Sequence, residues 1–454
     1  MVDIIVNFKP LSASMNAFLS ADVMTLTKLR NSEANGGGFG VFGYYTDNND
    51  YEPLSVPNFM YNQKVTYNTS DSYWQYDPVK YWPNEYGDAA VSDDADKVSF
   101  FAYAPYVDVT PSTGKVTGDQ TWGIVGMSRN TASGDPILKY IASFDQDKSV
   151  DLLWGTIPAS TSWTLQQTGS AQSGLDEGMP WLNVQRPFEA DTQKDAAQRV
   201  KFQFEHALAQ LEVKIDADVD ASTVDETNEV DSKTRIWVRS ITFTGFATKG
   251  ALNLNNTTAK TANWLDFGGI DDLTNGESVT VYDGLKDGKE GTASNAASNE
   301  KTLGFNPQVI QSSADIDYPG TATAEWKAAN KGVTKEAVSL FRKWNESDSK
   351  FEASTAPVMV IPTGDDVTVE IVYDVETIDT NLANYLSDNK TKGSSIENRI
   401  SKEVKISGSA MTLQNGRKYT LNLHLGMNSV KLDAEVTEWD DVTVVEQNVE
   451  LPKQ

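Results

Sequence analysis

The chain has 454 residues, 39% hydrophobic and 10% aromatic, enough apolar material for packed cores and too long for one, so two or three domains are expected. Its 38 basic and 64 acidic residues give a net charge of -26, which repels nucleic acid phosphates and anionic lipid headgroups and argues against either as a partner. The absence of cysteine excludes disulfides, thiolate metal sites and cysteine nucleophiles, and no apolar run approaches the roughly 20 residues of a membrane helix.

At the N-terminus Val2, Ile4, Val6 and Phe8 share one face of a candidate strand. With Asp3 among its apolar residues, this segment is too short for the apolar region of a signal peptide. A stretch containing Ser, Thr and Met follows, ends in Lys28, Leu29 and Arg30, and gives way to the glycine-rich run at 35–38. FGVFGYY at 39–45 is apolar on both faces and therefore reads as a central strand, and 59–67 is a further strand. Trp74, Tyr76, Tyr81, Trp82 and Tyr86, punctuated by Pro78 and Pro83, form an aromatic cluster of loops and short strands. VSFFAYAPY at 98–106 and VDLLWG at 150–155 read as buried strands.

In RVKFQFEHALAQLEVKI at 199–215, Val200, Phe202 and Phe204 are in one phase and Leu211, Val213 and Ile215 in the other, so a bulge or bend is expected near Ala207 to Ala209. Residues 235–246 and 250–254 add strands that could close a first sandwich, 1–265, and a second domain is placed at 266–454. Within the second, 284–302 reads as a polar loop. The spacing of Ala337, Leu340, Phe341 and Trp344, with Thr334 as cap, predicts a helix over 334–345. VTVEIVYDV at 367–375 alternates as a strand, and 418–438 reads as a hairpin around the loop Gly426 to Ser429. Many short strands with few helices point to a mainly β fold of antiparallel β-sandwiches.

Taken in order, FGVFGYYT, KYWP at 80–83, VSFFAYAPY, DLLWG, VKFQFEHALAQLEVKI, VMVIP at 358–362 and GRKYTLNLHLGMNSVKLDAEVTEWDD at 416–441 resemble the fimbrillins of the Bacteroidales, the type V pilins, over nearly the whole chain. The resemblance implies two transthyretin-like β-sandwiches in tandem, a lipoprotein precursor and a cell-surface location. It implies that an arginine-specific protease removes an N-terminal strand and that the C-terminal strand of a neighbouring subunit fills the groove. The lipidated cysteine that the family carries upstream is absent from this sequence. The implied partners are other fimbrillin subunits, with host glycans or proteins as candidate ligands and attachment to the outer membrane only through assembly.

Arg30 is the candidate processing site, between a strand-like segment and a glycine-rich loop of the kind proteases prefer. An ordinary surface arginine and a cut after Lys28 are the alternatives. Val2, Ile4, Val6 and Phe8 would belong to the removable strand, and Val442, Val444, Val445, Val449 and Leu451 to the donor strand, unless that tail pairs within its own domain. His206 is expected to be a hydrogen-bonded inward residue and His424 to face outward, too isolated for a zinc site or a catalytic triad. Asp216, Asp218 and Asp220 open like a calcium loop, but Ala221 and Thr227 occupy the positions that require glycine and glutamate. The aromatic cluster could stack sugar rings, which makes a glycan-binding surface protein the alternative to a stalk subunit, alongside a fimbrial tip or anchor. No enzyme motif and no cofactor site are found in the sequence.

Overall fold

The computed structural model describes residues 4–7, 24, 26–31, 37–70, 73–80, 96–118, 121–143, 148–158, 177–185, 200–217, 234–256, 258–265, 278–283, 309–310, 338–339, 342–345, 350–355, 358–362, 367–377, 398–406, 413–425, 430–438 and 445–447. Strands dominate, and among the described residues Leu26–Arg30 is the only helix. The fold is mainly β, with curled and largely antiparallel sheets, as expected.

The first sheet has eight described strands. Its order is Ile4–Asn7, Val200–His206, Leu153–Thr156, Lys97–Ala104, Phe39–Tyr45, Met60–Asn68 and Tyr73–Gln75, and Trp181–Gln185 pairs with the far end of Lys97–Ala104. All eight residues of Lys97–Ala104 are buried, so this strand is covered on both faces. Val98, Phe100 and Ala102 point to one side with Phe39, Val41, Phe202 and Phe204, packed against Met24, Leu29, Trp74 and Trp181. Phe101 and Tyr103 point to the other side with Phe42, Tyr44 and Trp154, where they meet Ile124, Met127, Leu138, Tyr140 and Leu252. These last five come from a second, six-stranded sheet running Asn263–Leu265, Lys249–Asn253, Ile137–Ile141, Gly123–Met127, Lys115–Val116 and Val109–Thr110. The two sheets form a sandwich, and the sandwich's first sheet carries a further apolar layer on its outer face.

That layering leaves no room at two glycines. A Cβ on Gly155 would lie 2.8 Å from both Ala102 Cβ and Phe202 Cδ1, and one on Gly40 would lie 2.2 Å from Tyr103 Cε1. Tyr103 is itself fully buried and donates a 2.6 Å hydrogen bond to Asn62 Oδ1, so it has nowhere to move.

Residues 207–208 carry the chain out of this sandwich. Val200–His206 ends in the first sheet, while Ala209–Ala217 lies in another, parallel to Arg417–Leu425 and antiparallel to Val358–Val360 and Val338–Ser339. The expected phase flip is therefore a crossover between sheets and not a bulge within one strand. Among the described residues two pairings are parallel, Ile4–Asn7 with Val200–His206 and Ala209–Ala217 with Arg417–Leu425. Partners so remote in sequence are not bound by a hairpin turn to run antiparallel.

Two expectations are corrected. Residues 235–246 do not close the first sandwich: Thr234–Thr244 pairs with Val367–Thr377, Ser278–Asp283 and Val309–Ile310, while Lys249–Asn253 does return to the second sheet. Alternation alone reports a buried face and not whose face covers it. The helix over 334–345 is also absent: Val338–Ser339 and Arg342–Asn345 are strands, the second pairing with Lys350–Thr355. Cross-strand hydrogen bonding overrides a weak helical propensity in so short a segment. The hairpin Arg417–Leu425/Val430–Glu438 closes at Leu425 opposite Val430, around the four loop residues read from the sequence. In Val367–Thr377, Val367, Val369 and Ile371 are buried and Glu370 is exposed, as the alternation requires.

Two measurements check this packing. Gly40→Ala should lower stability by about 1–3 kcal/mol, the usual cost of overpacking, read as a shift of the urea midpoint. Burial raises the pKa of Tyr61 and Tyr106 to about 12 and that of Tyr44, Tyr51, Tyr103 and Tyr140 above its ordinary value. The unfolded chain releases these phenolic protons near pH ~10 and the native one later, so their contribution to stability is intact below that pH and lost as pH rises towards the folded values. Phenolate absorbance at 295 nm should show these groups ionising late, together with alkaline unfolding.

Candidate functional site

The region around Arg30 is built from three short pieces of chain. Leu29 of the helix Leu26–Arg30 is fully buried in the outer apolar layer. Lys28 and Arg30 occupy the last turn, where cations complement the helix dipole. The turn is closed by Asn31 N–H donating to the carbonyls of Thr27 and Lys28 at 3.2 and 3.1 Å. Gly38 N–H donates to Leu29 O at 2.8 Å, tying the helix to the start of Phe39–Tyr45. Gly38 has φ +82°, and a Cβ there would meet Val65 O at 2.5 Å, so this return of the chain requires glycine.

Arg30 itself is exposed, its guanidinium 4.6 Å from the centroid of the Tyr67 ring. Its side chain is open to a protease, but its backbone is helical and tied on both sides.

Upstream, Met24 is buried and its N–H donates to Asp151 Oδ2 at 2.9 Å. Asp151 has no solvent exposure, and it accepts two further bonds, from Leu152 N–H to Oδ1 at 2.8 Å and from His206 Nδ1 at 3.0 Å. His206 is thus a hydrogen-bonded residue, as expected, with its side chain 15% exposed. The role of Asp151 was missed from the sequence. Its signal was present: an acid inside the apolar run at 150–155 must be paired if that run is buried.

Of the removable-strand residues, Ile4 and Val6 lie in Ile4–Asn7, an edge strand in register with Val200–Gln203, whereas Val2 and Phe8 lie outside the described residues. The same strand lies against Tyr73–Gln75 from the opposite end of the sheet, which curls the sheet towards closure. Of the donor residues, Val445 lies in Val445–Gln447, paired to the terminal hairpin with Val445 opposite Val436. Val442, Val444, Val449 and Leu451 lie outside the described residues. Asp216 is the penultimate residue of the strand Ala209–Ala217, and Asp218 and Asp220 are outside the described set, which contains no group of acids or histidines placed to hold a metal. The side chain of His424 also falls outside it.

In the aromatic cluster, Trp74 is buried against Phe39, with ring centroids 5.2 Å apart in an edge-to-face contact, and Tyr76 is half-buried. Tyr81, Trp82 and Tyr86 lie outside the described residues. Trp74 is a core residue and presents no platform for a sugar ring.

No family model and no curated relative matches the chain. Among solved structures it is similar to a candidate cell adhesion protein from Parabacteroides distasonis, at 8% identity over 97% of this chain and 98% of that one, TM-score 0.37. A second candidate cell adhesion protein, from Bacteroides ovatus, shares 10% identity over 96% of each chain, TM-score 0.36. A fimbrial assembly protein from Parabacteroides distasonis shares 8% identity over 98% of each chain, TM-score 0.33.

Trp74→Ala should lower stability by about 3–5 kcal/mol, the cost of emptying a large aromatic site in a core. Urea denaturation measures it; an unchanged midpoint would return Trp74 to the surface and reopen the sugar-binding alternative.

Proposed function

We propose that this chain is a non-enzymatic structural subunit of a cell-surface fimbrium that polymerises by strand exchange after proteolysis. The observation that carries this reading is the placement of Ile4–Asn7: an edge strand of the first sheet, supplied by the residues that precede Arg30. A cut after Arg30 would separate that strand, Met24 and Leu29 from the rest of the chain. Their departure would open the edge of Val200–His206 and uncover Phe39, Phe202 and Phe204. Such a surface needs a new strand, because an open edge and a large apolar patch both favour association.

In this reading the occupant is the segment 442–451 of a neighbouring subunit, bound by strand addition with backbone hydrogen bonds for affinity and alternate side chains for register. Val445–Gln447 is a three-residue strand whose one partner among the described residues is Val430–Glu438, and leaving it gives up few backbone bonds. The subunit would be made as a lipoprotein precursor, act outside the cell, and reach the outer membrane only through assembly with other subunits. Its two sandwiches would be transthyretin-like and in tandem, dividing near residue 265, with 209–217 and 234–244 contributed to the second.

Intact mass and negative-stain microscopy test this before and after an arginine-specific protease. A single cut after Arg30 followed by filaments is expected. Arg30→Ala should stay uncut there and monomeric, and Val445→Asp with Val449→Asp should be cut normally yet form no filaments. A wild-type chain cut at Arg30 that stays monomeric would overturn the proposal.

A further inference from the structure

The buried carboxylate of Asp151 has no part in the strand exchange just proposed, yet it grips the processing segment from 127 positions away in sequence. It is fully enclosed, and its three donors come from three places: Met24 in the segment, Leu152 beside it, and His206 at the end of the strand that also pairs with Ile4–Asn7. Hydrogen bonds to an ionised acceptor are roughly twice as strong as neutral ones, and a buried carboxylate that loses a donor is left partly unsatisfied. Opening at Met24 therefore costs more than ordinary fraying of a chain end.

Downstream of this grip lie the buried Leu29, its carbonyl bond to Gly38, and Arg30 on the Tyr67 ring. An endoprotease reads several residues on each side of the cut in extended form. Residues 26–30 are helical, and the Leu29 carbonyl and Asn31 N–H on either side of Arg30 are hydrogen-bonded, so the native arrangement is a poor substrate although the arginine side chain is exposed. Cleavage then follows the population of a locally opened form.

We infer that Asp151, positioned by His206, is a latch on residues 24–31 that sets how fast the chain can be processed after Arg30. This rests on the reading of Arg30 as the processing site. Asp151 is a positioning residue: it touches neither the protease nor the scissile bond, and it acts by holding the Met24 amide. The latch would keep the segment seated until the protease meets the folded subunit, so that processing is slow and confined to one opening event. Around the latch stand the Asp151 carboxylate and the His206 ring, with Glu205 next to His206 in Val200–His206 and the Tyr140 hydroxyl donating to Val150 O beside Asp151.

The test measures the rate of the Arg30 cut by intact mass under limiting arginine-specific protease, on the full chain. Cuts at Arg235 and Arg239, inside the strand Thr234–Thr244, report opening of that separate sheet, and hydrogen exchange of the buried strand Lys97–Ala104 in wild type and variants reports unfolding of the sandwich that holds the latch. Asp151→Asn keeps the shape and removes the charge, and should speed the Arg30 cut by about 10- to 100-fold, the factor carried by one hydrogen bond to a charged acceptor. His206→Leu leaves the Met24 bond and should speed it by about 3- to 10-fold. The Arg235 and Arg239 cuts should not change in either variant.

Hydrogen exchange of the wild-type protein gives a second readout that needs no substitution. The Met24 amide should be protected in the uncut chain. Equal Arg30 rates in wild type and both variants, a parallel rise at all three arginines, or an unprotected Met24 amide would each overturn the latch. Faster cutting in the variants without filaments from any cut chain would leave the latch standing and sink the polymerisation reading instead.

Discussion

The architecture depends on eighteen consecutive residues, 200–217, which serve two sheets in turn. Val200–His206 is paired on both edges, with Ile4–Asn7 on one side and Leu153–Thr156 on the other. Ala209–Ala217 then takes Arg417–Leu425 on one side and Val358–Val360 with Val338–Ser339 on the other. The two residues between them, Ala207 and Leu208, are fully buried, and the turn they make is held by backbone and side-chain bonds from remote parts of the chain. Trp264 Nε1 donates to Ala207 O at 2.8 Å, Asn415 Nδ2 to His206 O at 3.1 Å, and Gly416 N–H to Leu208 O at 2.8 Å. A crossover that were merely flexible would let the two sheet systems slip in register; buried and satisfied carbonyls fix it.

A second consequence follows from the burial of both faces of the first sheet. One face is covered by a partner sheet, which is what any β-sandwich supplies. The other is covered by Met24 and Leu29 from the segment before Arg30 and by Trp74 and Trp181 from two short strands of the same curled sheet, Tyr73–Gln75 and Trp181–Gln185. Aromatic contacts tie this layer together, with Phe39 edge-to-face against Trp74, Phe202 and Phe204. The segment before Arg30 is therefore part of the hydrophobic core, and removing it is a change of packing and not the trimming of a tail.

Much of this was legible in the sequence, and the limits are physical. Phe39–Tyr45 and Lys97–Ala104 announce themselves as doubly buried because apolar residues fill both phases of 39–45 and 98–104, with Ser99 the single polar interruption. The terminal hairpin is legible to the residue because alternation and turn chemistry agree. Sequence periodicity fails where the answer lies in a distant partner. The alternation of Thr234–Thr244 names no partner sheet, and only its pairing with Val367–Thr377 decides the matter. Val338–Ser339 and Arg342–Asn345 carry a plausible helical face, but the strands that recruit them lie elsewhere in the chain. Arg30 could be singled out from its neighbours in sequence, whereas the Asp151 contact to Met24 could not, since nothing local links the two positions.

The same geometry separates two events that a cleavage model tends to merge. Breaking the bond after Arg30 leaves Ile4–Asn7 still paired to Val200–Gln203, Met24 still bonded to Asp151, and Leu29 still buried. The cut changes the topology of the chain and not, at that instant, any of these contacts. What it removes is the tether, so that a segment which leaves is no longer returned by its own chain at a high effective concentration. In the proposed exchange, a strand arriving from another molecule would compete with four backbone-paired residues and a buried methionine and leucine, not with a covalent loop. The net charge of -26 on each chain opposes that approach at long range, so the gain must come from contacts made after docking. The uncovered aromatic face, with Phe39 at its centre, is the place in this fold where such contacts are available.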